Sequence, residues 1–99
     1  MSKSRPITLR PKAIADLEDI FNYSVQEFGI TRAEHYILEL NEAFTNLADG
    51  PHIGNDYGYV KPDLKGVAVV SHIVFFKYTD TQLIVIRVLH KSMDYIRHL

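Results

Sequence analysis

Two segments with helical periodicity, joined by a very short link, constrain the fold of this chain more than any other feature. In each segment apolar or small residues recur at steps of three and four, the spacing that places them on one face of a helix. They are Ala13, Leu17, Ile20, Phe21, Ser24, Val25 and Phe28 in the first segment, and Ala33, Tyr36, Ile37, Leu40, Ala43, Phe44 and Leu47 in the second. The pattern predicts helices over 11–28 and 31–49, and the short link makes them an antiparallel hairpin.

Local signals predict where these helices begin and end. Alternating apolar and polar residues predict a short strand over 6–10, and Pro11 then supplies the fixed φ suited to a first helical position. Gly29 fits the left-handed position that ends a helix. Thr31 and Glu34 have the spacing of a capping box, in which each side chain bonds the other residue's backbone amide.

The second half of the chain has the composition of β-strands. Three runs rich in Val, Ile and Phe, at 67–70, 72–78 and 83–89, follow a loop over 50–66 that is rich in Gly, Pro, Asp and Asn. Short breaks make these runs antiparallel neighbours within 67–90, and a polar tail over 91–99 follows. The predicted class is α+β, with a short N-terminal β-strand, an antiparallel helical hairpin and a three-stranded antiparallel sheet with a short C-terminal tail.

The last two predicted strands are largely apolar on both faces. A sheet covered by helices on one side alternates more cleanly between apolar and polar residues. We therefore expect the tail, a partner chain or both to cover the face away from the helices.

The 99-residue chain, with 46% hydrophobic and 23% charged residues, has the length and composition of one globular domain spanning 1–99. It has no cysteine, which excludes disulfides and thiolate metal sites. The N-terminus is polar and no apolar run approaches the roughly 18 residues of a membrane span, so we predict neither a signal peptide nor a transmembrane helix. We expect a cytoplasmic protein.

Charge is distributed unevenly along the chain. Residues 1–59 carry five Lys/Arg and nine Asp/Glu, whereas residues 60–99 carry six Lys/Arg and three Asp/Glu. The split fits either acidic, solvent-exposed helix faces or a role in steering a partner.

Few residue patterns in the sequence indicate catalysis. There is no GxSxG motif, phosphate-binding loop or dinucleotide fingerprint. None of the five histidines stands at metal-ligand spacing, so we expect neither a metal nor a cofactor. Asp16, Glu18 and Asp19 lie within one helical turn, and we interpret them as a solvated helix surface rather than acid–base machinery.

One basic cluster gathers around the predicted end of the sheet, namely Lys77, Arg87, His90, Lys91, Tyr95 and Arg97. Such a cluster can bind phosphates and cleave RNA, with arginine stabilising the transition state and histidine transferring a proton. It can equally dock a partner. Lys77 and Arg87 share a sheet face only if the turn between the last two strands has an odd length, so both alternatives stay open.

From about Leu9 to Asp94 the chain resembles the ParE toxins of the RelE/ParE superfamily, which belong to bacterial type II toxin–antitoxin modules. The most specific segments are SHIVFF (71–76) and IRVLHKSMD (86–94). Weaker matches surround the two helices, at Ala15, Asp16, Leu17, Ile20, Tyr23, Gly29, Ala33, Tyr36, Leu40, Leu47, Ala48, Pro51 and Gly54. Two positions depart from the family pattern, because Val70 stands where many relatives carry glycine and Lys65 where they carry arginine. A turn built with Val70 need not have the usual geometry.

The resemblance implies a RelE/ParE-like β-α-α-β-β-β fold and a toxin that performs no chemistry of its own. Such a toxin binds DNA gyrase, traps it with cleaved DNA, and is neutralised by a ParD-like antitoxin that wraps it. Ribonuclease relatives on the same fold use a basic and acid–base cluster on the sheet. Lys77, Arg87 and His90 are the only stand-ins for that cluster here.

Three hypotheses follow from the sequence and the resemblance. The leading one is a non-catalytic gyrase poison, and the alternatives are a ribosome-dependent mRNA interferase of RelE type and an antitoxin-binding domain with lost toxicity. We expect no membrane partner and no direct sequence-specific DNA binding by this chain alone. The candidate partner-binding residues are Tyr23, Phe28, Tyr36, Lys77, Arg87, His90, Lys91, Met93 and Asp94.

Overall fold

The computed structural model describes residues 4–99, so the first three residues of the polar N-terminal segment lie outside it. The elements are β1 (Ile7–Leu9), α1 (Pro11–Phe28), α2 (Ile30–Asp49), a 3-10 turn (Pro51–Ile53), β2 (Asn55–Asp56), β3 (Lys65–Val69), β4 (His72–Tyr78), β5 (Leu83–His90) and α3 (Tyr95–His98). The predicted α+β class is confirmed. Within residues 4–99 no helix is long and apolar enough to cross a membrane.

The sheet has five strands in the order β1-β5-β4-β3-β2, two more than the predicted three-stranded antiparallel sheet. The three central strands are antiparallel, as predicted. β1 adds a parallel edge strand beside β5, paired from Ile7↔Leu83 to Leu9↔Val85. β2 is a two-residue strand inside the predicted loop over 50–66. β1 lies within the strand predicted over 6–10, whereas the two residues of β2 are too few to show alternation in the sequence.

The helix ends follow backbone conformation more than side-chain capping. Pro11 occupies the first turn of α1 as predicted. Gly29 has φ 88° and ψ 167°, a region open essentially to glycine alone, and it both ends α1 and begins α2. The predicted capping box is wrong, because α2 begins at Ile30 without a side-chain cap and Thr31 already lies inside its first turn.

Apolar side chains cluster on both faces of the sheet. Between the sheet and the helical hairpin lie Ala13, Ile20, Leu40, Phe44, Leu47, Ala48, Val74, Phe76, Leu83, Val85 and Val88. On the opposite face Leu64, Phe75 and Leu89 are buried beneath Tyr57, Val60, Ile73, Ile86, Tyr95 and Leu99. The tail therefore covers this second face, as expected, together with the loop before β3.

A β-bulge in β5 decides which side chains share a face. Tyr78 pairs with Leu83, so the connection between β4 and β5 has four residues, a length for which we expect Lys77 and Arg87 on opposite faces. The register then shifts, because Phe76 pairs with Val85 whereas Phe75 pairs with Arg87. Ile86 is the extra residue, and Arg87 consequently moves to the face of Phe75 and Lys77.

Candidate functional site

A groove of about 650 Å³ lies between the helical hairpin and the β3–β4 turn. We call it the hairpin groove, and it is lined by Ser24, Phe28, Thr31, Arg32, His35, Tyr36, Glu39, Val70 and Ser71. The end of α1, the first half of α2 and a two-residue turn meet here. Of the candidate residues from the sequence, Phe28 and Tyr36 lie in it.

Aromatic and apolar side chains are exposed in and near the hairpin groove. Phe28 is 57% exposed and the Arg32 guanidinium lies over its ring, 5.5 Å from the centroid. Val70 is 62% exposed on the opposite wall. Tyr23 is equally exposed but does not line the groove. Exposed apolar groups of this size beside a concave surface are typical of a protein-binding site.

Tyr36 connects the hairpin groove to β4. Its hydroxyl donates to the Val69 carbonyl oxygen at 3.0 Å and lies 2.5 Å from His72 Nδ1. Because a phenol has one proton, His72 must donate the second bond from Nδ1. Burial, and secondarily the charge of His90, lower the pKa of His72 to about 4, so this ring is neutral at physiological pH.

The turn that forms the far wall of the groove contains a strained residue. Val69 pairs with His72, which leaves Val70 and Ser71 as a two-residue turn, and Val70 has φ 52°. Positive φ is a genuine outlier for a β-branched side chain, and glycine is preferred at such a turn position. The turn therefore has a conformation suited to glycine, with valine held in it.

The end of β5 and the residues after it form an exposed polar surface, residues 90–94, which we call the C-terminal surface. His90 Nδ1 lies 2.7 Å from the Ser92 hydroxyl and accepts from the Ser92 backbone amide. The His90 ring packs edge-on against that of His72, with centroids 5.2 Å apart. Lys91 donates its backbone amide to the Ser71 carbonyl at 2.9 Å. The C-terminal surface therefore adjoins the turn that lines the hairpin groove.

Two other members of the C-terminal surface are exposed as well. Met93 is 36% exposed, and Asp94 is exposed beside Arg97 with 3.5 Å between their charged atoms. Such surface ion pairs contribute little to stability. Both side chains are accessible to a partner.

Arg87, a candidate from the sequence, is tied into the fold. Its Nε and Nη2 donate to the two carboxylate oxygens of Asp16, each at 2.8 Å, and Nη1 donates to the His98 carbonyl at 2.8 Å. The side chains of Arg87 and Asp16 are only 15% and 12% exposed. Hydrogen bonding to the Asp16 carboxylate raises the pKa of Arg87 above its ordinary value. The guanidinium of Arg87 therefore already binds groups within the chain, namely the Asp16 carboxylate and the His98 carbonyl.

The three possible nuclease residues do not converge. His90 pairs with His72 and Lys77 with Ile84, so five residues of β4, about 17 Å, separate the two positions. His90 lies on the helix side of the sheet with His72, whereas Lys77 shares the opposite face with Phe75. No single phosphate can contact both side chains.

Two residues of this region were not identified from the sequence. The interpretation of Asp16 as solvated surface is wrong, whereas Glu18 and Asp19 are exposed as expected. The available signal was the position of Asp16 beside the inward stripe of α1. His72 carried no signal beyond alternation along β4. Among residues 4–99, no group of three or more His, Cys, Asp or Glu side chains is placed to hold a metal ion.

Comparison with known proteins shows the family to which the chain is related. The family model of the ParE toxin of type II toxin–antitoxin systems (parDE) matches residues 7–95. The chain is similar to Toxin ParE1 of Mycobacterium tuberculosis, 36% identical over 92 residues that cover 92% of this chain and 94% of the relative. It is also similar to Toxin ParE1 of Caulobacter vibrioides, 35% identical over 95 residues that cover 96% and 98%.

A solved structure shares the fold. It is the chromosomal ParDE TA system from P. aeruginosa, with a TM-score of 0.75 and 17% sequence identity, covering 88% of this chain and 96% of the other. At that identity the likeness concerns the fold alone, whereas the family match spans nearly all described elements. The chain therefore belongs to the ParE toxin family of type II toxin–antitoxin systems.

Proposed function

We propose that this toxin is a non-catalytic poison of DNA gyrase and that a ParD-like antitoxin neutralises it. The observation that carries the proposal is the separation of the candidate catalytic cations. Lys77 and His90 lie on opposite faces of the sheet, and the Arg87 guanidinium is bound by Asp16 and a carbonyl oxygen. The exposed apolar side chains of Phe28 and Val70, in contrast, both line one groove, which favours binding over chemistry.

The hairpin groove is the proposed antitoxin site. Phe28 and Val70 present apolar surface on its two walls, and Tyr36 offers a half-buried ring between them. Aromatic side chains in a concave site are the typical anchors of protein–protein interfaces. Exposed Tyr23, which the sequence also suggested, extends the proposed contact area along α1.

The C-terminal surface is the proposed gyrase contact. It combines His90, Lys91 and Met93, which are all exposed, with Asp94 at its end. The bond from the Lys91 amide to the Ser71 carbonyl makes it continuous with the hairpin groove. A bulky antitoxin segment seated in the groove would thus stand beside the target-binding residues, which supports neutralisation by occlusion. Gyrase is a cytoplasmic enzyme, so the proposal places the toxin in the cytoplasm.

A supercoiling assay with purified gyrase tests the proposal. The purified chain should inhibit supercoiling and accumulate gyrase-dependent cleaved DNA, and addition of the cognate antitoxin should restore activity. A translating extract receives the same chain in parallel, and its messages should stay intact.

Each alternative gives a different result in these assays. Cleaved transcripts with unaffected gyrase would establish an mRNA interferase and overturn the proposal. Tight antitoxin binding with no effect on gyrase, transcripts or growth would identify a domain that has lost toxicity, and it would also overturn the proposal.

A further inference from the structure

One edge of β5 is only partly covered by a strand. β1 pairs with β5 from Leu83 to Val85 and ends there. Further along that edge Asp16, on α1, accepts the Val88 amide at 2.9 Å. A side chain of the first helix thus satisfies a backbone donor that the short β1 does not reach.

The same carboxylate holds Arg87 by two parallel bonds. This geometry fixes the guanidinium in position and direction more firmly than a single contact does. The bulge at Ile86 places Arg87 on the face of the sheet that α3 covers, and its remaining Nη1 donates to the His98 carbonyl. Asp16, Arg87 and the tail therefore form one continuous chain of charge-assisted bonds.

The tail has little stability of its own. α3 has four residues and no side-chain cap, far short of the length at which an isolated helix persists in water. Its position depends on contacts with the body, namely the packing of Tyr95 and Leu99 on the second core cluster, a bond between the Tyr95 and Tyr59 hydroxyls, and the Arg87 bond to His98. Of these contacts, the bond from Arg87 to the His98 carbonyl is the one made by a charged side chain.

We infer that Asp16 is the positioning residue of the C-terminal surface. Through Arg87 it fixes α3 on one side of residues 90–94, while the Val88 amide fixes β5 on the other. Neither Asp16 nor Arg87 need touch the target for this role. The inference rests on the proposed function only where it says that the positioned surface meets gyrase.

The test compares Asp16→Asn with Asp19→Asn, the same change at an exposed residue of the same helix. In the full chain, amide hydrogen exchange at Arg97 and Leu99, whose amides bond Asp94 and Tyr95, should accelerate about tenfold or more in Asp16→Asn. Gyrase inhibition should weaken by a similar factor, because the surface is no longer held in one geometry. Antitoxin affinity at the hairpin groove should stay unchanged, a result that general unfolding would not give. Asp19→Asn should match the unmodified chain in all three measurements.

A second variant keeps the test decisive if Asp16→Asn folds poorly. Arg87→Lys retains a charge for Asp16 but cannot also reach the His98 carbonyl as a rigid fork does. It should leave the Val88 amide protected while exchange at Leu99 rises.

Three outcomes separate this inference from the proposed function. Unchanged exchange at Leu99 in both variants would overturn the claim that Asp16, through Arg87, holds α3 in position. Faster exchange with full gyrase inhibition would overturn the positioning role. If the unmodified chain does not inhibit gyrase, the proposed function fails. The exchange data alone then support or overturn the claim that Asp16, through Arg87, holds α3 in position.

Discussion

Replacement of Val70 by glycine should stabilise the toxin, although it removes an apolar side chain. Val70 has φ 52° in the β3–β4 turn, a conformation that a β-branched residue adopts only under strain. Strain of this kind is worth about 1–3 kcal/mol of folding free energy. Glycine adopts the same conformation without that penalty.

Two smaller effects oppose the gain. Glycine makes the unfolded chain more flexible, which costs about 0.5–1 kcal/mol. Val70 is 62% exposed, so the substitution loses only a minor part of the transfer energy of a buried valine, about 0.5–1 kcal/mol. With strain near the upper end of its range for a β-branched residue, the net stabilisation is about 1 kcal/mol. For a chain of this size that raises the melting temperature by about 4–8 °C.

Urea unfolding followed by circular dichroism measures the change, with Ala68→Gly as the matched control. Ala68 is also exposed and lies in β3, where its φ is not positive, so glycine there brings the flexibility cost and no relief of strain. Ala68→Gly should therefore lower the free energy of unfolding by about 0.5–1 kcal/mol. If Val70→Gly lowers it by the same amount, the turn stores no strain and the reasoning is refuted.

The same variant should bind the antitoxin less well. If the antitoxin fills the hairpin groove, it covers the exposed Val70 side chain, and loss of that contact should weaken binding roughly 5- to 10-fold. We therefore expect Val70→Gly to be more stable than the unmodified chain and to bind the antitoxin more weakly, because the Val70 side chain both causes the strain and contacts the antitoxin. Unchanged affinity would place Val70 outside the interface.

Two further substitutions test the groove and the histidine beneath it. Phe28→Ala should weaken antitoxin binding about 10- to 100-fold in calorimetry, whereas Leu38→Ala, similarly exposed at 59% but outside the groove, should not; equal affinities would remove Phe28 from the interface. His72 has a pKa of about 4 in the folded chain, below its ordinary value of 6.5, so the unfolded chain binds more protons and stability falls as pH drops from about 6.5 to 4. In His72→Gln the urea midpoint of unfolding should depend less on pH across this range, whereas His52→Gln should keep the pH dependence of the unmodified chain. An equally steep pH dependence in His72→Gln would contradict the burial argument.

Helices and central strands were predictable because their signals are long and periodic. Apolar steps of three and four extend over the whole of α1 and α2, and both bounds of α1 agree with the prediction. β1 and β2 have three and two residues, and their place in the sheet depends on partners distant in the sequence. The predicted capping box at Thr31 does not form because Gly29 both ends α1 and begins α2, so Thr31 lies inside the helix.

The candidate site was only partly predictable, because its geometry depends on one bulge. From the sequence alone, Arg87 and Lys77 were equal members of a basic cluster. The extra residue Ile86 changes the face of Arg87, and Asp16, 71 positions earlier, then determines what its guanidinium can do. Pairings over such separations carry no local signal. Phe28 and Tyr36, in contrast, belong to the local apolar pattern of the two predicted helices.

The turn around Val70 also explains how strain persists between the two proposed binding surfaces. On one side the Val69 carbonyl accepts from Tyr36, and on the other the Ser71 carbonyl accepts from Lys91. These bonds hold the residues on either side of Val70, so the surroundings over-determine a conformation that valine alone would avoid. Tyr36 belongs to the hairpin groove and Lys91 to the C-terminal surface. A partner that displaces the turn from the groove side therefore pulls on a direct hydrogen bond to the surface proposed for gyrase.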